Sequence, residues 1–267
     1  MGSSFFLPSD PQKAFHYAGY RSFWFAVLAT SFSAQIMAVA VAWQVYDITG
    51  NPLYLGLIGL AQFLPSLLLV LVTGWVSDRF SRRGVMAASV AVETGCAGAL
   101  LWFAVTGFTD VGPIFVVLVF LGVSRAFLSP ARASLAPNLV PQKALGNAIA
   151  VNATAWQGAS VIGPAAGGLL YGVSPEVAYG VALGLGALSF VLLLNIPKPD
   201  RPRDSFATSG TKLLDGFKYV WHQKVVLGAI SLDLFAVLLG GAVALLPVYA
   251  RDILEVGPWG LGLLRAA

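Results

Sequence analysis

GWVSDRFSRR, Gly74 to Arg83, places four charged residues (Asp78, Arg79, Arg82 and Arg83) in a short connection between two long apolar runs. Only 10% of the chain is charged, so this concentration needs a reason. On one side lies an apolar segment near 53 to 76, on the other a segment near 84 to 107. Each reaches the roughly 20 residues with which a helix crosses a bilayer core. Further runs of that kind fall near 22 to 46, 113 to 136, 145 to 172, 176 to 196 and 225 to 249, and an eighth opens near Trp259. The runs are continuously apolar, whereas strands of a membrane barrel alternate over about ten residues. The expected fold class is therefore an all-α polytopic membrane protein.

Composition agrees. Of 267 residues, 57% are hydrophobic, above the roughly 45–50% of ordinary soluble domains. The N-terminal stretch shows neither a cleavable signal peptide nor a myristoylation pattern, because Phe6 stands where Ser or Thr is needed. The first span is the expected insertion signal. Cys96 is the only cysteine, which excludes an internal disulfide, and the two histidines, His16 and His222, have no flanking ligand pattern. No metal site, cofactor or catalytic constellation of nucleophile and base is expected.

Most of the 16 basic residues lie on alternate connections. Lys13 and Arg21 precede span one, Arg79, Arg82 and Arg83 follow span two, Arg132 and Lys143 flank the turn after span four, and six more fall between spans six and seven. The other connections carry Asp47, Asp110 and Glu176, with no Lys or Arg until Arg251. The positive-inside rule then puts the N-terminus in the cytoplasm of a cell, expected to be bacterial, with the charged loop on the same side of its cytoplasmic membrane. The net charge of +4 reflects that topology and calls for no nucleic-acid partner.

The expected organisation is a cytoplasmic tail over 1–21, six spans over 22–196, a linker over 197–224 and further spans over 225–267. The linker contains PKPDRPRDSFATSGTK and runs into LLDGFKYVWHQK, whose apolar residues recur at helical spacing, as in a short helix lying on the membrane surface or the frayed start of span seven. NPLYLGLIGLA (Asn51 to Ala61) and GPWGLGLLRAA (Gly257 to Ala267) share Pro, Leu-Gly-Leu and a terminal Ala at an offset of 206 residues. Parallel six-span repeats are a transporter signature, so span seven reads as span one again and the chain as one half plus the opening of another. The remainder of that second half is the expected packing partner, beside the bilayer itself.

The order Gly-x-x-x-Asp-Arg-x-x-Arg-Arg asks for more than topology. Gly74 permits close helix approach, Asp78 suits a helix N-terminus, and the arginines are placed to bridge that carboxylate. These residues resemble the loop signature of the major facilitator superfamily. The resemblance implies a conformational latch of Gly74, Asp78, Arg79, Arg82 and Arg83 that contacts a helix of the C-terminal half. A second stretch, GASVIGPAAGG, is similar to the G-x-x-x-x-G-P-x-x-G-G pattern of that superfamily's antiporters, here Gly158, Gly163, Pro164, Gly167 and Gly168. It implies export coupled to proton entry; the plainer reading is a kinked small-residue packing face. AWQVYDITGNPLYLGLIGLAQFLP and SPARASLAPNLVP resemble the bacterial drug and siderophore exporters related to the enterobactin exporter, the transmembrane secretion effector group. The superfamily's fourth-helix Arg-x-x-Gln-Gly retains only Arg125.

Glu93, Arg125 and Asp233 fall inside spans, where each costs about 2.5–3.5 kcal/mol to insert and must face protein or water. Glu93 lies roughly 14 Å and Arg125 roughly 17 Å from the same side, so the two are expected at similar depth and within reach of pairing. The three are candidates for proton coupling, the arginine by resemblance; a fixed ion pair and a solvated pore carboxylate are the rival readings. Gln35, Gln62, Asn152 and Gln157 are candidate polar groups of a central cavity, with Trp43 and Phe63 as apolar walls, unless each simply joins helices. The expected function is proton-coupled export of small amphipathic molecules. A nutrient importer and a non-transporting membrane module are the alternatives.

Overall fold

The computed structural model describes residues 13–69, 72–73, 76, 79–196, 222–224, 227–228, 231–232 and 240–267. They contain helices and no strand. The first six are α1 (Ala18–Thr49), α2 (Pro52–Leu68), α3 (Arg82–Val105), α4 (Val111–Leu135), α5 (Leu145–Val173) and α6 (Pro175–Leu194). After a helical turn, Leu246–Val248, and a π-helical turn, Tyr249–Ile253, α7 covers Gly257–Ala266. The chain divides into two compact units, Met1–Pro199 with Leu246–Ala267, and Asp200–Leu245. The second contributes the 3-10 helix Gly240–Leu245 to the described residues. Most of predicted span seven, Asp233 within it, and the predicted surface helix over 213–221 lie outside the described residues.

Local chemistry sets the helix starts. Asn51, Ser81, Asp110 and Ser174 each accept a backbone N–H from the first turn of α2, α3, α4 and α6. Such caps satisfy donors that no helix can satisfy for itself. Gly50 ends α1 in the left-handed region (φ 57), its N–H on the Tyr46 carbonyl, and Pro52 opens α2 directly after. The repeat does the same at its second occurrence: Gly257 has φ 70 and Pro258 opens α7.

Four helices, α1, α3, α4 and α6, are long and apolar enough to cross a membrane. α2 is apolar but its described helix has 17 residues. α5 has 29 residues, enough for about 43 Å. Its hydropathy is lowered by Asn147, Asn152, Thr154, Gln157 and a run of glycines. It is the helix with the most neighbours to satisfy, since α1, α6 and α7 all pack on it.

The helices alternate in direction. Thr30 meets Ser189 and Ser33 meets Ala182, so α1 and α6 are antiparallel. Tyr20 and Trp24 donate to the Ala148 and Val151 carbonyls, so α1 and α5 run together. Below, the near end is where α1, α3 and α5 begin; the far end is where α2, α4, α6 and α7 begin. One apolar core at the near end gathers Tyr20, Phe23, Met86, Leu135 and Leu193. A second towards the far end gathers Ile36, Leu100, Ile114, Leu118 and Tyr179. A third, Val39, Ala250 and Leu261, ties the 246–266 segment to α1.

Candidate functional site

Polar groups collect at middle depth. By the helical rise, Gln62 lies about 15 Å, Ala38 about 16 Å, Glu93 about 18 Å and Arg125 about 21 Å from the far-end termini of their helices, with Arg265 about 12 Å along α7. Arg125 Nη1 donates to Gln62 Oε1 at 2.5 Å, and Arg265 Nη1 to the Ala38 carbonyl at 3.1 Å. Glu93 is 5% exposed, and the charge of Arg125 acts on it.

The expected Glu93–Arg125 pairing is corrected. Among the described residues the ion pair within 4 Å is Arg251–Asp47, and Arg125 goes to Gln62 instead. Inter-helix register is the reason. Ser124 bonds the Ser89 carbonyl and Cys96 the Val117 carbonyl. That register sets Glu93 opposite Phe120, about 7.5 Å along α4 from Arg125. Gly122, one turn before Arg125, lets α2 approach so closely that a Cβ there would stand 2.5 Å from the Gln62 carbonyl oxygen. Gln62 therefore comes within the arginine's reach.

The glycines of α5 divide between two partners. A Cβ on Gly163 would be 2.7 Å from Gln35 Cβ, and one on Gly167 3.0 Å from Ile36 Cα, so both face α1. One on Gly168 would be 2.5 Å from the Pro258 oxygen and 2.8 Å from Gly262 Cα, so it faces α7. Gly262 returns the contact, its Cβ position lying 2.6 Å from the Pro164 oxygen. Pro164 is buried within the helix. Gly158 has nothing within 4 Å.

At the near end, Arg82 Nη1 donates to the Ser134 carbonyl at 3.1 Å, at the end of α4. Arg83 donates Nε and Nη2 to the Leu193 and Leu194 carbonyls at 3.0 and 2.5 Å, at the end of α6. These arginines thus satisfy last-turn carbonyls, as cations at helix C-termini do. Arg79 is exposed, and Gly74 and Asp78 lie outside the described residues.

At the far end is a cluster the sequence analysis did not assemble. Arg251 bridges Asp47 at 3.0 Å, donates to the Tyr46 carbonyl at 3.2 Å and stands 5.8 Å from the centre of the Tyr46 ring. The Tyr46 hydroxyl donates to Asp252. The available signal was the charge pattern, acidic at Asp47 and basic at Arg251, each just after an apolar run. Arg265 was missed too, though it is the one charge within GLGLLRAA.

The predicted cavity residues do not converge. Gln62 joins Arg125, Gln35 supports Gly163, and Trp43 packs between the far-end cores. Asn152 Oδ1 is buried without a hydrogen-bond partner, Gln157 is exposed, and Phe63 is 60% exposed. A groove of about 560 Å³ lies instead between α2 and α4, lined by apolar residues including Tyr54, Leu57, Leu64, Phe115 and Val119. Among the described residues no three His, Cys, Asp or Glu side chains are grouped as for a metal ion.

Comparison with known proteins places this arrangement. The chain is 25% identical over 240 residues to the uncharacterized MFS-type transporter YkuC of Bacillus subtilis, covering 84% of this chain and 55% of that protein. It is 23% identical over 182 residues to macrolide efflux protein A of Streptococcus pyogenes, covering 67% and 45%. A third relative, the uncharacterized MFS-type transporter YfiS of Bacillus subtilis, is 25% identical over 242 residues, covering 83% and 56%. The chain spans about half the length of the curated relatives it matches. The model of the Major Facilitator Superfamily matches residues 23–267, nearly the whole bundle together with α7, and this multi-pass membrane chain belongs to that superfamily.

Proposed function

We propose that this chain forms the first half, and the opening of the second, of a proton-coupled exporter of small amphipathic molecules of the drug or siderophore class. It works by alternating access across the cytoplasmic membrane of a bacterium, with the N-terminus in the cytoplasm. The observation that carries the reading is the α5 seam. The glycines resembling the antiporter pattern sit where α5 meets α1 on one side and α7, from the second half, on the other. A contact of that kind between halves is where a rocking motion is transmitted. The name of the streptococcal relative, a macrolide efflux protein, supports the outward direction.

In this reading Glu93, Arg125 and Asp233 carry or tune the proton, and Gln35, Trp43, Gln62, Phe63, Asn152 and Gln157 belong to cavity walls completed by the second half. The latch of Gly74, Asp78, Arg79, Arg82 and Arg83 closes against that half. The repeat supports the partner. Gly56, which has nothing within 4 Å, precedes Gly262 by the repeat offset, and Gly262 is closed on Gly168. The exposed face of α2 is then the surface that receives the second-half counterpart of α5.

The test is pH-driven uptake of a macrolide or a siderophore into inverted vesicles carrying the full-length protein. Accumulation that collapses with a protonophore is expected. Accumulation equal to that of empty vesicles, or insensitive to the pH gradient, overturns the reading.

A further inference from the structure

Arg125 and Arg265 are the two cations at middle depth, one on α4 and the other on α7. Each guanidinium carries five N–H donors in a planar fork. Each makes a described bond to one neutral acceptor, Gln62 Oε1 for Arg125 and the Ala38 carbonyl for Arg265. Among the described residues neither is ion-paired with a carboxylate. The charge of Arg125 nonetheless acts on Arg265, so the two share one electrostatic environment, and both side chains are partly buried, where screening by water is weak. Glu93 is the described carboxylate whose interaction with Arg125 is recorded, and its register holds it about 7.5 Å along α4 from Arg125.

Two like charges kept together with most donors uncommitted form an incomplete arrangement, and what completes it is an acceptor-rich anion. Guanidinium forks match planar oxyanions in two parallel bonds, which a lone ammonium does not. The anchors already fix the forks from behind: Gln62 on α2 holds Arg125, and the α1 backbone holds Arg265. Nearby apolar surface, Val39, Trp43 and Leu261 among it, suits the non-polar body of such a molecule.

We propose that Arg125 and Arg265 together bind the oxyanion of an amphipathic organic acid, so that the cargo class is anionic rather than neutral or cationic. This rests on the export reading above and narrows its substrate. Because Arg125 belongs to the first half and Arg265 to the second, a bridging carboxylate would also join the two halves at middle depth, tying occupancy to their relative position.

The experiment uses the full-length protein in nanodiscs with three fluorescent probes of one shape: 1-pyrenebutyrate, its methyl ester and 1-pyrenebutylamine. The carboxylate is expected to bind at least tenfold tighter than either of the others. Arg125→Gln and Arg265→Gln each remove that preference while leaving ester binding unchanged, and the double variant loses no more than either single one. Arg265→Lys, which keeps the charge without the fork, retains part of it and serves if a glutamine variant fails to fold. Equal binding of acid and ester, no binding of any probe, or a preference that survives both glutamine variants overturns the proposal. Proton-driven uptake of a macrolide without acid preference would defeat this proposal alone. Acid preference without proton-driven uptake would defeat the export reading and leave the anion site standing.

Discussion

Replacing Gly168 by alanine tests the α5–α7 seam directly. The added Cβ would stand 2.5 Å from the Pro258 oxygen, 2.8 Å from Gly262 Cα and 2.9 Å from Gly262 N. All three are backbone atoms, so no side chain can swing aside. Relief requires α7 to retreat by about 1 Å, which also pulls Leu261 from its packing with Val39 and Ala250. Overpacking of this kind costs about 1–3 kcal/mol. Alanine is intrinsically the better helix former by about 1 kcal/mol, so the proper reference is Gly158→Ala, on the same helix with nothing within 4 Å. Thermal unfolding in detergent, at about 2–4 °C per kcal/mol for a chain of this size, should place Gly168→Ala several degrees below Gly158→Ala. Gly262→Ala, whose Cβ would meet the Pro164 oxygen at 2.6 Å, should lose a similar amount, and the two losses should not add because one helix displacement relieves both. Equal melting of Gly168→Ala and Gly158→Ala would refute the seam as the place where α7 is held.

Other expectations follow from the same contacts. Arg83→Lys keeps the positive charge that sets topology but loses the fork on the Leu193 and Leu194 carbonyls, so it should insert normally and lose about 1–2 kcal/mol; unchanged stability on unfolding in detergent would count against the cap. For Arg251 and Asp47, whose side chains are 38% and 56% exposed, a double-mutant cycle should return about 0.2–1 kcal/mol, and a coupling of several would show that exposure misjudges this pair. Thr30→Val should cost about 0.6–2 kcal/mol through loss of its bond to the buried Ser189 hydroxyl; no loss would mean Ser189 is satisfied by the Ala26 carbonyl alone. With Cys96 replaced by alanine, Asp110→Cys is expected to react with an impermeant maleimide from outside intact cells, and labelling only after lysis would invert the topology. Asp78→Asn should lower transport at matched abundance, and wild-type rates would remove Asp78 from the latch.

How far the sequence could be read depended on distance along the chain. Segments of about 20 apolar residues have one way to satisfy their backbone in lipid, so α1 to α6 begin and end close to the predicted spans, apart from α2, whose continuous described helix stops at Leu68. The glycine pattern at 163, 167 and 168 announced close approach, but which glycine meets which helix depends on rotation about α5, which composition does not encode. Depth alone suggested Glu93 and Arg125 as partners. Their separation emerges from the Ser89–Ser124 and Cys96–Val117 register, a property of two helices jointly. Arg82 and Arg83 were legible as a topological signal, while their carbonyl partners lie some 50 and 110 residues away.

The Gly168–Gly262 contact also has a meaning in time. Membrane helices enter the bilayer in the order of synthesis, at about 5–20 residues per second, so the notch at Gly168 exists for roughly 5–20 s before residue 262 is made. During that interval α5 presents a bare strip of small residues to lipid or to any passing helix of similar shape. Slow translation over the intervening segment would lengthen the exposure, which makes codon usage there, and not only the protein sequence, a determinant of how much chain reaches the assembled form.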